Sequence, residues 1–314
     1  MRFVLCLFLL ATTSITIAQP ERRTVGPPDR QKTASDPALE RKLQAALSGF
    51  RGDVGVYVRN LRTGKTVAIN ADTLFPTAST VKIPIQCGVF DKINKGKLKY
   101  GQELIYRDSL HYDDGITGSL RDSAKIPLSE VIMLMETVSD NTASLWCQAL
   151  AGGGAAINAW LDQNGFPQTR VNSRTPGRQA AQKQYGWGQT TPRELASLLV
   201  YIREGRAISP DASDEMYRNL GRQYWDNDGL AQLPPDVKTA SKNGAVNQSR
   251  SEVVLVHAPH GEYVYCVMTK NQKDESWERS NEGFALLRSV GNILWHHFEP
   301  KSTWKPAAGY EKWW

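Results

Sequence analysis

The sequence has little of what marks a metal, nucleic-acid or membrane protein. Cysteine is scarce, four in 314 residues, and no two are spaced C-x-x-C. Histidine occurs five times, at His111, His257, His260, His296 and His297, without H-E-x-x-H spacing. Neither set supplies the clustered nitrogen and sulfur ligands of a zinc site, so no metal and no cofactor are expected. No run of one charge exists. The net charge of +6 is dispersed, which favours a solvated basic surface over a nucleic-acid interface. No internal repeat is visible. A long apolar run is also missing: Phe3–Leu10 is apolar, but Ala11–Ile17 is too polar to complete a comfortable membrane span.

What is present at the N-terminus is a secretory signal. Arg2 supplies the positive start, Phe3–Leu10 the apolar centre, and Thr16-Ile17-Ala18 the small residues of a cleavage site after Ala18. The mature chain is then exported, to the periplasm or the medium, and no stable membrane span remains. Removal of residues 1–18 takes Cys6 with it. Cys87, Cys147 and Cys266 remain and cannot all pair, leaving either buried free thiols or one disulfide and one thiol. Residues 19–35, rich in Pro, Arg and Thr, read as a flexible leader. A folded domain over 36–298 and a tail over 299–314, carrying Trp304, Trp313 and Trp314, complete the expected organisation. A monomer is expected.

Composition is otherwise that of a globular protein, 40% hydrophobic and 22% charged. Asp36-Pro37 caps a helix that continues through Leu39, Leu43, Ala46 and Leu47. Val54, Val56 and Val58 alternate, so 53–60 is a strand that turns at Arg62-Thr63-Gly64-Lys65 into a second one. Over about 75–206 the pattern is helical, with helices expected at 81–93, 128–135, 141–150 and 193–202. Gly165–Gln189 is polar and without period, and is expected to be a long functional loop. Strands resume at 251–256 and 263–268, and a helix closes the domain over 284–298. The expected fold is α/β: an antiparallel sheet with strands from both termini, flanking helices, and an inserted all-helical domain that leaves a cleft at the junction.

Three motifs carry chemistry. Ser79-Thr80-Val81-Lys82 places a hydroxyl and an amine on one helix face, where the amine can serve as base if its pKa is lowered. The helix N-terminus favours the oxyanion that attack would create. Such a pair is common by chance, and Ser302-Thr303-Trp304-Lys305 repeats it in the tail. Ser139-Asp140-Asn141 follows at another helix start. Its serine can relay a proton to a leaving nitrogen, and its amide can hold a substrate carbonyl and bond the lysine. Lys242-Asn243-Gly244 then precedes an expected strand. Its lysine can attract a carboxylate, and its glycine lets a ligand approach the backbone.

In this order the motifs resemble those of class A β-lactamases and penicillin-binding proteins, the penicillin-recognising serine hydrolases. Thr190-Thr191-Pro192-Arg193-Glu194-Leu195-Ala196 is similar to that family's exit from its long loop, and the resemblance runs from about Pro37 to Phe298. It implies the class A β-lactamase fold, with Ser79 as nucleophile, Lys82 as base and Ser139 as proton relay. It further implies Asn141, Lys242, Asn243, Ala245 and Arg250 as substrate-binding residues, with an oxyanion hole from the backbone N–H groups of Ser79 and Ala245. The implied substrate is a small-molecule β-lactam or an acyl-peptide.

Two departures alter the expected activity. Class A enzymes activate the deacylating water with a loop glutamate. Counting from Ser139 puts Thr175 at that position and Gln179 at the accompanying asparagine, and no Asp or Glu occurs from Gln163 to Arg193. A missing general base costs about 10²–10⁴ in rate. Asn243 also replaces the usual hydroxyl residue of the third motif. Acylation of Ser79 with slow deacylation is therefore expected. The alternatives are an amidase or D,D-peptidase-like hydrolase on cell-wall peptides, and a non-enzymatic β-lactam or peptide sensor.

Overall fold

The computed structural model describes residues 34–313, so the expected signal segment and nearly all of the leader lie outside the described residues. In chain order the elements are β1 (Ala34–Ser35), α1 (Pro37–Leu47), β2 (Asp53–Asn60), β3 (Lys65–Ile69), β4 (Phe75–Pro76), α2 (Lys82–Asn94), β5 (Glu103–Ile105), β6 (Lys125–Pro127), α3 (Leu128–Thr137), α4 (Asn141–Leu150), α5 (Gly153–Gln163), β7 (Arg170–Val171), α6 (Gln179–Tyr185), β8 (Gly188–Thr190), α7 (Pro192–Arg203), α8 (Pro210–Leu220), β9 (Thr239–Val246), β10 (Ser249–Val256), β11 (Tyr263–Lys270) and α9 (Glu282–Phe298). α1 starts where sequence chemistry says it should: Asp36 Oδ1 accepts from Leu39 N at 3.1 Å, and Pro37 occupies the first turn.

The main sheet has the order β1-β3-β2-β11-β10-β9. Its long neighbours are all antiparallel, and only the short β1 runs parallel to β3. Val56 opposite Val267 joins the N-terminal hairpin to the C-terminal strands, so both ends of the domain build one layer. The sheet is covered on both faces. On β10, Val253 and Leu255 enter the core shared with the helical region, while Val254 and Val256 enter the core shared with α1 and α9. Each such burial contributes about 1.5–3 kcal/mol.

Two expectations need correction. Gly165–Gln189 is not structureless. It contains β7, α6 and β8, and β8 pairs with both β4 and β7. Glu194, in the first turn of α7, ties down the start of this segment by accepting from the backbone N–H groups of Gln168 and Thr169. Short-range periodicity could not reveal it, because its pairings are with a distant dipeptide. Lys242-Asn243-Gly244 lies within β9 rather than before a strand. Its register is set by β10, with Lys242 opposite Val253 and Gly244 opposite Ser251.

Candidate active site

Ser79 sits on a short 3₁₀ turn, Ala78–Val81, that runs directly into α2. Ala78 before it has a φ of 46° and Ser139 a φ of 62°, left-handed conformations that cost non-glycine residues about 1–3 kcal/mol each. The strain falls at the two places where serines must face one amine. Lys82 is wholly buried, and its Nζ lies 3.1 Å from Ser79 Oγ, 2.9 Å from Ser139 Oγ, 2.7 Å from Ser139 O and 2.9 Å from Asn141 Oδ1. The Ser139 carbonyl and the Asn141 amide oxygen can only accept. A neutral amine satisfies them with its two hydrogens and keeps a lone pair for a serine hydroxyl proton.

Burial drives Lys82 well below the ordinary lysine range, and the charge of Lys242 adds to the effect. Glu136, Asp140 and Asp113 pull it back up. Lys242, equally buried, is lowered to about 8, again by burial, with Glu136 opposing. Its Nζ donates to Asn243 O at 3.2 Å and lies 3.4 Å from Asn243 Oδ1. Asn243 also donates to Asp228, a carboxyl that burial raises to about 6. The amide therefore links Lys242 to a buried acid behind the strand.

The open side is a cavity of about 460 Å³ lined by Ser79, Asn141, Ala245, Tyr112 and Trp187, among others. Tyr112 and Trp187 meet edge to face at 5.0 Å between ring centres. Gly244 brings β9 against the nucleophile turn: a β-carbon there would lie 2.7 Å from Ser79 N and 2.8 Å from Thr77 O. Ser251 Oγ locks the same contact, donating to Thr77 O at 3.0 Å. The arrangement can deprotonate Ser79, accept negative charge at backbone N–H groups, and return a proton through Ser139.

Asp113 and Glu136 were not legible in the sequence. Asp113 Oδ2 accepts from Asn141 Nδ2 at 2.6 Å, which turns the Asn141 oxygen toward Lys82. Asp140 caps α4 through Ala143 N and also holds Thr117 N at 2.8 Å, pinning the Asp113 loop beside the motif. No fixed spacing announces either contact.

Arg250 is not at the cavity. Ser251 faces Thr77, so strand parity turns Arg250 to the opposite face, where it stacks over Trp277 and Phe284 at 4.7 and 4.4 Å and donates to Ser276 O. Its guanidinium is committed to that side, and the expectation of a substrate-carboxylate contact is corrected. Thr175 is displaced as well. It is 5% exposed, donates to Ser173 O at 2.9 Å and packs on Gly154, away from the cavity lining. The loop contributes Gln184, Tyr185, Gly186 and Trp187 to that lining instead. Its basic residues are structural partners: Arg178 binds Asn172 and Gln189, and Arg193 binds Asp72. The second S-x-x-K, at Ser302, accepts from Trp295 Nε1 at 3.0 Å and lies outside the cavity lining.

A model of the beta-lactamase enzyme family matches residues 38–298. Beta-lactamase VEB-1 of Pseudomonas aeruginosa is 21% identical over 272 residues, spanning 83% of this chain and 90% of that protein. Beta-lactamase AER-1 of Aeromonas hydrophila is 26% identical over 255 residues, 80% of this chain and 84% of that one. The solved structure of PBP-A superposes with a TM-score of 0.76 at 26% identity, covering 85% of this chain and 98% of its own. A PBP-A variant solved as an acyl-enzyme complex with penicillin G gives 0.75 at 26% identity, covering 88% and 100%.

Proposed function

The chain belongs to the beta-lactamase enzyme family, with a class A β-lactamase-like serine hydrolase fold, and we propose that it is an exported enzyme that opens β-lactam rings through an acyl-enzyme on Ser79 and releases the product slowly. The observation that carries this reading is the placement of Lys82 Nζ within hydrogen-bond reach of both serine hydroxyls.

In the proposed reaction Ser79 Oγ attacks the lactam carbonyl while Lys82 takes the hydroxyl proton. The carbonyl oxygen becomes an oxyanion held by the backbone N–H groups of Ser79 and Ala245, each such donor contributing about 10²–10³ in rate. The C–N bond then breaks, and Ser139 passes the proton from Lys82 to the departing nitrogen. Asn141 orients the acyl side chain. Lys242, with Asn243 beside it, attracts the substrate carboxylate. What remains is an ester on Ser79, and its hydrolysis needs a base beside a water. The acid-free stretch from Gln163 to Arg193 offers none, so the adduct persists. Among the described residues no helix is long and apolar enough to cross a membrane. Export rests on the signal pattern of residues 1–18.

The same absence favours a second reading, a D,D-peptidase-like hydrolase on cell-wall peptides, since PBP-A is the structural relative that forms a recorded penicillin adduct. Time-resolved mass spectrometry of the protein with a penicillin tests the first reading. A single adduct should form quickly and decay slowly, be absent in Ser79→Ala, and be unchanged in Ser302→Ala. Labelling of the Ser79→Ala protein would overturn the assignment. Turnover of an acyl-D-Ala-D-Ala peptide alongside slow β-lactam release would favour the second reading.

A further inference from the structure

Glu136 lies on the last turn of α3, just before the loop that holds Ser139. It is 0% exposed, and neither carboxyl oxygen has a hydrogen-bond partner among the described residues. Its backbone is pinned, since Gln223 Nε2 donates to its carbonyl at 3.1 Å and Tyr224 N donates to that of Thr137 at 3.0 Å. A buried carboxyl without donors is costly to ionise unless a cation stands nearby. Two do: Lys82 from α2 and Lys242 from β9 both act on it.

The other ionisable groups around this cluster are accounted for. Cys87 from α2 and Cys147 from α4 feel the Glu136 charge, but burial pushes both thiols up and keeps them neutral. Asp140 is committed to Ala143 N and Thr117 N, and Asp113 to Asn141. Glu136 is thus the wholly buried acid facing both lysines. Two ammonium groups in one buried site repel each other, and one carboxylate can compensate only one of them.

We propose that Glu136 is the internal counter-ion of the Ser79 centre, a positioning residue that keeps Lys242 charged while Lys82 stays neutral. The two lysines then do opposite work within one cluster. Lys82 has acceptors for two hydrogens in Ser139 O and Asn141 Oδ1, which suits the neutral amine. Lys242 has only Asn243 oxygens beside it, at 3.2 and 3.4 Å, and needs a charge partner. Burial raises Glu136 to about 7 while Lys242 stands at about 8, so between these values the carboxylate and the ammonium coexist. Burial also shields the pair from salt, which an exposed acid could not achieve. The assignment of tasks to the lysines rests on the proposed function; the charge pairing does not.

The test is nuclear magnetic resonance of the full chain labelled at lysine Cε, with Lys82→Arg and Lys242→Arg used only to assign signals. In Glu136→Gln the Lys242 midpoint should fall by about one pH unit or more. In the unmodified protein the Lys242 signal should show a second, smaller inflection near 7, where Glu136 titrates. This measurement needs no variant to fold. In parallel, the alkaline limb of penicillin acylation should move to lower pH in Glu136→Gln. A folded Glu136→Gln protein with an unmoved Lys242 midpoint, or an unmodified protein with no inflection near 7, overturns the proposal. Shifted lysine titrations without any acylation would sink the proposed function and leave the counter-ion standing.

Discussion

Gly244 touches Ser79: a β-carbon on the glycine would lie 2.7 Å from the serine backbone nitrogen and 2.8 Å from Thr77 O. Both neighbours are backbone, so neither can step aside by changing rotamer. Gly244→Ala should push β9 away from the nucleophile turn and break the alignment of the Ser79 and Ala245 N–H groups. Acylation should fall by about 10²-fold or more. Stopped-flow acylation with a chromogenic cephalosporin checks this. An alanine variant that acylates at the unmodified rate would show that the contact is not needed.

Asp113 should matter through Asn141. Its carboxylate holds the Asn141 amide nitrogen at 2.6 Å and so directs the oxygen to Lys82. Asp113→Ala frees the amide to rotate, and Lys82 loses one of its acceptors. The expected result is acylation slowed by about tenfold, the loss of roughly 1.4 kcal/mol of positioning. Asp113→Asn, which can present its own oxygen to the amide, should recover part of the rate.

Thr175→Glu should not create an efficient β-lactamase. Thr175 is buried against Gly154, where a longer charged side chain has no room and no solvent. Overpacking of this kind costs about 1–3 kcal/mol, before any penalty for the charge. Thermal melting should show the loss, and adduct decay followed by mass spectrometry should show no acceleration. Rapid release by this variant would mean that the loop can turn position 175 toward Ser79.

Cys87, Cys147 and Cys266 are free and buried. Burial raises all of their pKa values, so thiolate is scarce at neutral pH. A thiol reagent should label none of them in the native protein and all of them after denaturation. A reducing agent should leave the melting temperature unchanged. Release of fewer thiols on denaturation without reductant would reveal a disulfide.

The chemical cast at Ser79 was readable because it depends on short spacings. A serine and a lysine three apart on a helical turn share a face whatever the rest of the chain does. Alternation in 53–60 and 251–256 likewise announced strands. Residue spacing failed where the partner is distant in sequence. The segment 165–189 hid a helix and two short strands because β8 pairs with Phe75-Pro76, far away in the chain. Arg250 was misplaced because a motif gives residue order but not strand parity, and parity here is fixed by Ser251 against Thr77.

The sequence by itself determined which functional groups this protein owns: a serine with a helical lysine, a second serine with an asparagine, a lysine with a glycine, and a long segment without carboxylates. Only the tertiary structure decided what those groups are worth. Lys82 is a useful base because packing removes it from water and sets Lys242 near it. Glu136 becomes a counter-ion for the same reason, because α3 buries it facing both amines. Composition cannot encode these effects, since desolvation and charge proximity arise only when distant segments close around one point.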